Sequence, residues 1–383
     1  MKGKYHLRFA AIMLLCATIL PGCKKSSTDY TSQQAAVDLG LVISLSGSFG
    51  PYGANQQNGA VMAVDEINSA NYFPGLKLVL HISDDKSVPD TCRKVFRDLI
   101  FKQNVIAIIG PTSSNAAFVA DTVAQSNRVV VMAISNTVPG ITEMGNCIFR
   151  NSLPETSVIP NTIAVTHAKL GYSRVAIVYG NDDPYTLGAY DSFVTALNST
   201  VGVSIVSTET VHKGDSLFAP QLGRIMASNP DVIVLATLVN ESSKLMIQAR
   251  AMGIPGSVRF LGGNSFNTSK LWQQAGSASE GAICGSAWNR YEFTPGNPQF
   301  VTGYINRFGS PPDQFAAQAY TAVYIIASAM LHTNPINRVT LRNALSQISN
   351  LNTILGTFSF DSMRNPEHSP VVQQVENGEF ILF

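Results

Sequence analysis

From Asp38 onward the chain alternates short, unbroken apolar runs with longer segments whose apolar residues recur every three or four positions. The runs lie at residues 39–45, 76–82, 105–109 and 129–134, and the amphipathic segments between them at 56–68, 91–100 and 116–126. A strand that is apolar on consecutive residues is covered on both faces, and strands separated by helical segments return parallel to one another. The pattern therefore predicts βαβ units around a parallel sheet.

After the proline-bounded stretch 154–160 the same order restarts. Helical patterns at 162–170, 187–198, 217–228 and 241–252 alternate with strand patterns at 174–179, 203–210, 232–236 and 259–261. From about Ala287 the chain turns helix-rich, at 298–308, 315–331 and 340–348, and ends in strand-like pieces at 357–360 and 371–375. So short a tail cannot form a third domain, and it is expected to complete the two sheets already begun.

With 383 residues, 45% apolar and only 13% charged, the chain has the composition of a packed globular protein long enough for two domains. Lys and Arg total 26 against 25 Asp and Glu, and no basic run occurs beyond the first 25 residues, which argues against nucleic acid as a partner. No apolar stretch reaches the 18 or so residues of a bilayer-spanning helix.

Lys2, Lys4 and Arg8 precede a short apolar run, residues 9–20, in the order of a secretory signal. It ends in Leu20-Pro21-Gly22-Cys23, which resembles a bacterial lipobox, so residues 1–22 are expected to be removed and Cys23 to carry a lipid. Losing those three basic groups takes the formal charge from +1 to −2. The following segment, 23–37, is polar and rich in Ser, Thr and Gln, as a flexible tether would be. The membrane is then reached through the lipid anchor alone.

Of the remaining cysteines, Cys92, Cys147 and Cys284, at most two can pair; buried free thiols are the expectation. Cys147 follows Gly145-Asn146 at the start of an expected strand.

Catalytic and cofactor patterns are sparse. Gly214-Asp215-Ser216-Leu217 matches the tetrapeptide of one esterase family, but it lies mid-chain and no Asp-x-x-His follows; a helix N-cap at Asp215 or Ser216 is the plainer reading. There is no G-x-S-x-G, P-loop or G-x-G-x-x-G pattern, and the histidines never fall at metal-ligand spacing, so no cofactor and no metal are expected. Asp84-Asp85 and Asp182-Asp183 stand where strands give way to loops and are expected to cap and solvate.

Taken in order, Ser46-Gly47, Tyr52-Gly53, Gly59-Ala60, Asp84-Asp85, Ile109-Gly110-Pro111, Ser113-Ser114, Ser135-Asn136-Thr137, Phe149-Arg150, Asp182-Asp183-Pro184-Tyr185, the segment Gln248-Ala249-Arg250-Ala251-Met252-Gly253 and Phe315-Ala316-Ala317-Gln318-Ala319-Tyr320 resemble the type I periplasmic solute-binding proteins of the Leu/Ile/Val group. The resemblance runs from about Asp38 to Phe383. It implies an α/β fold of two doubly wound lobes, 38–155 with 287–357 and 156–286 with 358–383, joined by a three-strand hinge and closing over a ligand. It further implies an extracytoplasmic, monomeric binding protein, not an enzyme, that captures an amino acid or small carboxylic acid and serves an ABC permease.

On that resemblance Ser114, Ser135, Asn136 and Thr137 hold the ligand's carboxylate, Tyr52 and Phe315 wall the pocket, and Tyr185 closes on it. Where amino-acid binders of the group place an acidic residue for the ligand's ammonium, this chain has Asn264; where a second aromatic is expected it has Leu238. The exchange argues for a ligand without a tightly held α-ammonium. Three rival functions remain open at this level: a ligand-sensing module acting through a partner chain, a secreted hydrolase using Ser216, and a structural lipoprotein.

Overall fold

A computed structural model describes residues 35–383; the expected signal segment 1–22, the lipid-bearing Cys23 and the tether up to residue 34 lie outside the described residues. The first strand, β1 (Ala35–Ile43), is followed by α1 (Gly50–Ser69), β2 (Leu76–Asp84), α2 (Pro89–Phe101), β3 (Ala107–Ile109), α3 (Ser114–Ser126), β4 (Val130–Ala133) and β5 (Ile148–Arg150). The five strands form one parallel sheet in the order β2-β1-β3-β4-β5. Ala35, Ala36 and Val37, expected in the tether, instead belong to β1, in register with Leu76, Lys77 and Leu78. Val37 is buried, and that anchors the strand's early start.

The second half runs through α4 (Glu155–Leu170), β6 (Arg174–Gly180), α5 (Pro184–Asn198), β7 (Ser204–Val211), α6 (Ala219–Ala227), β8 (Val232–Ala236), α7 (Val239–Ala251), β9 (Arg259–Gly262), α8 (Lys270–Ala275) and β10 (Ile283–Ser286). Its parallel strands follow β7-β6-β8-β9-β10, the same doubly wound order as the first sheet. The strand interiors are buried as the unbroken apolar runs predict: Val130 to Ala133 and Val232 to Ala236 are covered throughout.

The helix α4 begins at Glu155 and passes straight through Pro160, where the sequence reads as a boundary. Pro160 faces solvent, while Val158, Ile159, Thr162, Ile163 and Thr166 continue one buried stripe across it. Burial of that stripe outweighs the lost backbone bond, a cost of about 3 kcal/mol. The helix α1 likewise starts two turns before the predicted segment, because Pro51 in its first turn gives up a donor that has no partner there anyway. Tyr52 is thereby carried on a helix.

The return segment contains α9 (Asn297–Phe308), α10 (Gln314–Met330), α11 (Arg338–Leu345), β11 (Leu351–Thr353), β12 (Gly356–Phe360), β13 (Pro366–Glu367), β14 (Val371–Glu376) and β15 (Glu379–Leu382). The expectation that both late strand-like pieces join the main sheets is half right. The strand β14 pairs antiparallel with β10, and β15 with β14, extending the second sheet to seven strands. Residues 357–360 instead sit in β12 of a separate three-stranded antiparallel sheet, because β11 and β13 take up its backbone hydrogen bonds locally. Its Phe358 and Phe360 pack into the core of the first sheet beside Phe149, so the expected boundary at 357 falls inside an element.

Gly59 lets α1 and α10 meet: a Cβ there would lie 2.1 Å from the carbonyl oxygen of Ala316. Cys92, Cys147 and Cys284 are free and buried, as expected.

Candidate functional site

In doubly wound sheets the crevice lies at the carboxyl ends of the strands, where the strand order reverses. A pocket of about 290 Å³ occurs there, lined by Phe49, Tyr52, Thr112, Ser113, Ser114, Ser135, Tyr185, Leu238, Asn264, Ser265 and Phe315. The loops after β1, β3 and β4 supply one side; those after β6, β8 and β9 supply the other. Seven of the nine residues singled out from the sequence line it. Asn136 and Thr137, the other two, are buried on the loop after β4, outside the lining.

Several helix N-termini converge on this pocket. Tyr52, Ser114, Tyr185 and Phe315 stand in the first turns of α1, α3, α5 and α10, and Leu238 is the residue before α7. The first N–H groups of a helix have no partner within it, and the helix dipole favours negative charge at that end. No Lys, Arg or His lines the pocket, so its attraction for an anion comes from backbone and hydroxyl groups.

The two serines at the start of α3 divide the work. Ser113 is the N-cap, its Oγ accepting the Ala116 N–H at 3.1 Å. Ser114 is thereby relieved of capping; its Oγ is buried and has no hydrogen-bond partner, and Thr137 Oγ1 is in the same state. Buried hydroxyls are ordinarily paired, so two unpaired ones near a pocket mark where a ligand can bind. Ser135 differs, since its Oγ donates to the Thr112 carbonyl at 2.8 Å and accepts from Gln56 Nε2 at 2.9 Å. Thr112 Oγ1 in turn donates to Gln56 Oε1 and accepts the Ser44 N–H.

Arg150 holds the loop that carries Asn136 and Thr137. It is buried, donating from Nη1 to the carbonyls of Asn136 (3.2 Å) and Val138 (2.9 Å) and from Nε to Asn365 Oδ1 (2.7 Å). Burial pulls its guanidinium down to about 10, against the fields of Glu143 and Asp361, and it remains charged at neutral pH. Arg150→Lys keeps the charge but cannot reach three acceptors in two directions. It is expected to cost about 2–3 kcal/mol of stability in denaturant unfolding; an unchanged midpoint would show that this anchor is dispensable.

The aromatic walls come from both halves. Tyr52 and Phe315 rings lie 4.9 Å apart. Tyr52 Oη accepts the Val239 N–H at 3.0 Å, tying α1 to the start of α7 across the pocket. Tyr185, whose N–H is held by the N-cap carboxylate of Asp183, uses its Oη to accept the Ser265 N–H at 2.8 Å. Burial drives the hydroxyls of Tyr52 and Tyr185 far above the usual tyrosine range, so both stay neutral.

Asn264 is half-buried, and its Oδ1 accepts from Gln314 Nε2 at 2.5 Å. Gln314 Oε1 accepts from Ser286 Oγ and the Ala287 N–H at the crossing from β10 toward α9. One lone pair of the Asn264 oxygen is thereby engaged, and its amide N–H groups remain as donors toward the pocket.

Sequence reasoning overlooked Glu155. It is wholly buried at the first position of α4; its Oε1 accepts the Asn264 N–H at 2.9 Å, its Oε2 has no partner, and the Tyr185 hydroxyl lies beside it. Burial pushes the carboxyl up to about 7, partly opposed by the Asn264 N–H and the Tyr185 hydroxyl. Its position after Pro154 reads in the sequence as an ordinary acidic first turn of a helix. Phe49, Thr112, Ser113 and Ser265 were also unassigned; only the Ser113-Ser114 pair carried a signal.

The hydrolase reading has no support. Ser216 is exposed, its carbonyl accepts from Gln248 Nε2, and α6 begins only at Ala219 with Phe218 at the cap, so neither Asp215 nor Ser216 caps it. Asp215 instead closes a turn by accepting the His212 N–H at 2.8 Å. Asp84 accepts from Leu45, Ser46 and Lys86 at an exposed loop, as expected; Asp85 accepts from Ser44 Oγ and the Ser87 N–H but is wholly buried, with Oδ2 unpartnered, where solvation was expected. Among the described residues no cluster of His, Cys, Asp and Glu is arranged to hold a metal, and no helix is long and apolar enough to cross a membrane.

Two doubly wound sheets with one pocket at both reversal points define a crevice-type α/β binding protein. Residues 36–379 match the family described as Periplasmic binding protein, and the chain belongs to it, as a type I member of the branched-chain amino acid group. A Leu/Ile/Val-binding protein of Rhizobium johnstonii is 25% identical over 77% of this chain and 79% of its own. The branched-chain amino acid transporter substrate-binding protein of Streptococcus pneumoniae, solved with isoleucine, is 28% identical with a TM-score of 0.84, covering 90% of this chain and 97% of its own. An ABC transporter solute-binding protein of R. palustris solved with benzoate shares the fold at a TM-score of 0.79 and 19% identity, over 91% and 96% of the two chains. Members of the family are substrate-binding proteins and not enzymes, and membership implies an extracytoplasmic location.

Proposed function

We propose that the protein captures a small carboxylate- or amino-acid-like solute between its two halves and delivers it to the permease of an ABC transporter, held at the membrane surface by a lipid on Cys23. The observation that carries this reading is the buried, unpartnered hydroxyl of Ser114 at the N-terminus of α3, in a pocket lined by no cationic side chain, together with the equally unpartnered hydroxyl of Thr137 on the loop after β4, just outside that lining. An acidic ligand satisfies both hydroxyls and meets the positive end of the helix. The printed ligands of the S. pneumoniae and R. palustris proteins, isoleucine and benzoate, share a carboxylate.

The two lobes in this reading are the sheet of β1 to β5 with α9 to α11, and the sheet of β6 to β10 with β14 and β15. The chain crosses between them around residues 151–155, at Ala287 and between β13 and β14, and closure bends those crossings. In this reading Ser114, Asn136 and Thr137 surround the carboxylate; Ser135, expected there too, instead braces them through its bonds to Thr112 and Gln56; Tyr52, Phe315 and Leu238 form walls, and Tyr185 and Asn264 lie on the closing side.

A thermal-shift panel of amino acids, aliphatic and aromatic carboxylates and amides tests the proposal. A ligand at a hundred times its Kd adds about 2.7 kcal/mol to the native state, an upward shift of several degrees. A panel in which no carboxylate moves the midpoint would overturn it.

A further inference from the structure

A second cavity, of about 620 Å³, lies where the chain crosses from β10 toward α9, and it shares no lining residue with the crevice. Its walls include Trp272 on α8, Trp288 after β10, Asp313 before α10, and Glu379 with Phe380 at the start of β15. Both tryptophans of the chain are therefore in this one lining. Trp272 meets the ring of Phe380 edge-on, 4.9 Å away at 78°, and the Trp288 indole N–H donates to Asn297 Oδ1 at 2.7 Å, which fixes its ring.

The cavity has few donors left for an anion. Asn289 Nδ2 donates to Gln373 Oε1 at 2.8 Å and Gln373 Nε2 to Asn267 Oδ1 at 2.6 Å, so the lining's amides are engaged within the protein. Its single cationic side chain, Arg290, is paired with Glu379 and lies over the ring of Tyr291. Asp313 is in the opposite state. It is buried, its Oδ1 accepts the Ala316 N–H at 3.0 Å and its Oδ2 accepts from Asn55 Nδ2 at 2.6 Å, and none of the ion pairs among the described residues includes it. Burial raises its carboxyl to about 6, so it is charged at pH 8 and without a counter-ion. A buried charge left unpaired is costly. With Arg290 and Glu379 cancelling, one negative charge stands beside three aromatic rings, and both the carboxylate and the ring faces attract a cation.

We propose that this cavity is a second ligand site, separate from the crevice, for a compact organic cation of the quaternary ammonium class, held among Trp272, Trp288 and Phe380 with Asp313 supplying the opposite charge. A quaternary ammonium has no N–H to donate, which suits a carboxylate whose two oxygens already accept bonds from the protein. Its methyl groups match a wall of rings and of Pro311 and Pro312. The site stands whichever solute the crevice takes.

The test is titration of the purified protein at pH 8, followed by tryptophan fluorescence, with choline and acetylcholine and with their uncharged isosteres, 3,3-dimethylbutan-1-ol and 3,3-dimethylbutyl acetate. Because both tryptophans line the cavity, the signal reports on it directly. Each cation is expected to give a saturable change and to bind about tenfold or more tightly than its isostere. Asp313→Asn keeps a side-chain oxygen for the cap of α10 and removes the charge. It is expected to abolish the preference for the cation while leaving affinity for the isostere unchanged. Trp272 is half-buried, so Trp272→Leu tests the site even if the cap variant fails to fold; it should weaken both cations about tenfold or more, with Trp288 left as the reporter. No saturable response to either cation would overturn the proposal, as would equal binding of cation and isostere by the wild type. Equal weakening of cation and isostere by Asp313→Asn would mark a cap and nothing more. Unchanged cation affinity in Trp272→Leu would place the probe elsewhere, and either result would also overturn the site.

Discussion

Ser114→Ala combined with Thr137→Val is expected to weaken binding of a carboxylate ligand by about a hundredfold or more, without destabilising the unliganded protein. Each hydroxyl bond to a charged group contributes about 1.5–3 kcal/mol, and both are lost. The opposite sign for stability follows from the same observation. Neither hydroxyl has a partner within the protein, so each carries a desolvation cost that an apolar side chain of similar size removes. Titration and thermal unfolding of the same preparation separate the effects. Unchanged affinity would mean that these hydroxyls do not meet the ligand; a large fall in the midpoint would mean that they hold the fold.

Unliganded stability should fall as pH rises from about 4.5 to 7, because of Glu155. Its folded carboxyl titrates about 7 against 4.5 as a free side chain, so between those values the folded state holds a proton that the unfolded chain has released. The stabilisation is complete below about pH 4.5 and gone above about 7, and it amounts to about 3 kcal/mol. Asp313, the N-cap of α10, adds a drop of the same sign as pH rises between 3.8 and about 6, since burial raises its carboxyl to that value. Glu155→Gln should flatten the upper part of the curve and leave the lower part in place. Parallel profiles for wild type and variant would show that Glu155 ionises as an ordinary exposed carboxylate.

The positions that sequence reasoning reached are those whose cause is local. Unbroken apolar runs such as residues 129–134 mark strands covered on both faces, and their alternation with amphipathic segments dictates parallel βαβ order. Ser114 and Ser135 stand in the hydroxyl-rich turns after β3 and β4, and their place at the site is implied by the family resemblance that those motifs help to carry. β10 was missed because Ile283-Cys284-Gly285-Ser286 has a single β-branched residue, and only pairing with β9 and β14 makes it a strand. Residues 357–360 look like any short strand, and their placement in a third sheet depends on β11 and β13, neither of which has a sequence signal of its own.

The sequence by itself determined the α/β class and the two halves of like plan, because periodicity and turn chemistry act over a few neighbouring residues, while the pocket's hydroxyl and aromatic residues followed from the resemblance to the Leu/Ile/Val group. Only the tertiary structure decided which polar atoms end without a partner. That Ser113 caps and Ser114 does not, that Asn264 spends its acceptor on Gln314, and that Glu155 is buried beside Tyr185 are outcomes of contacts between residues as many as 109 positions apart. A hydroxyl or carboxylate is available to a ligand when folding has removed water from it and supplied nothing in exchange, and that balance is struck in three dimensions.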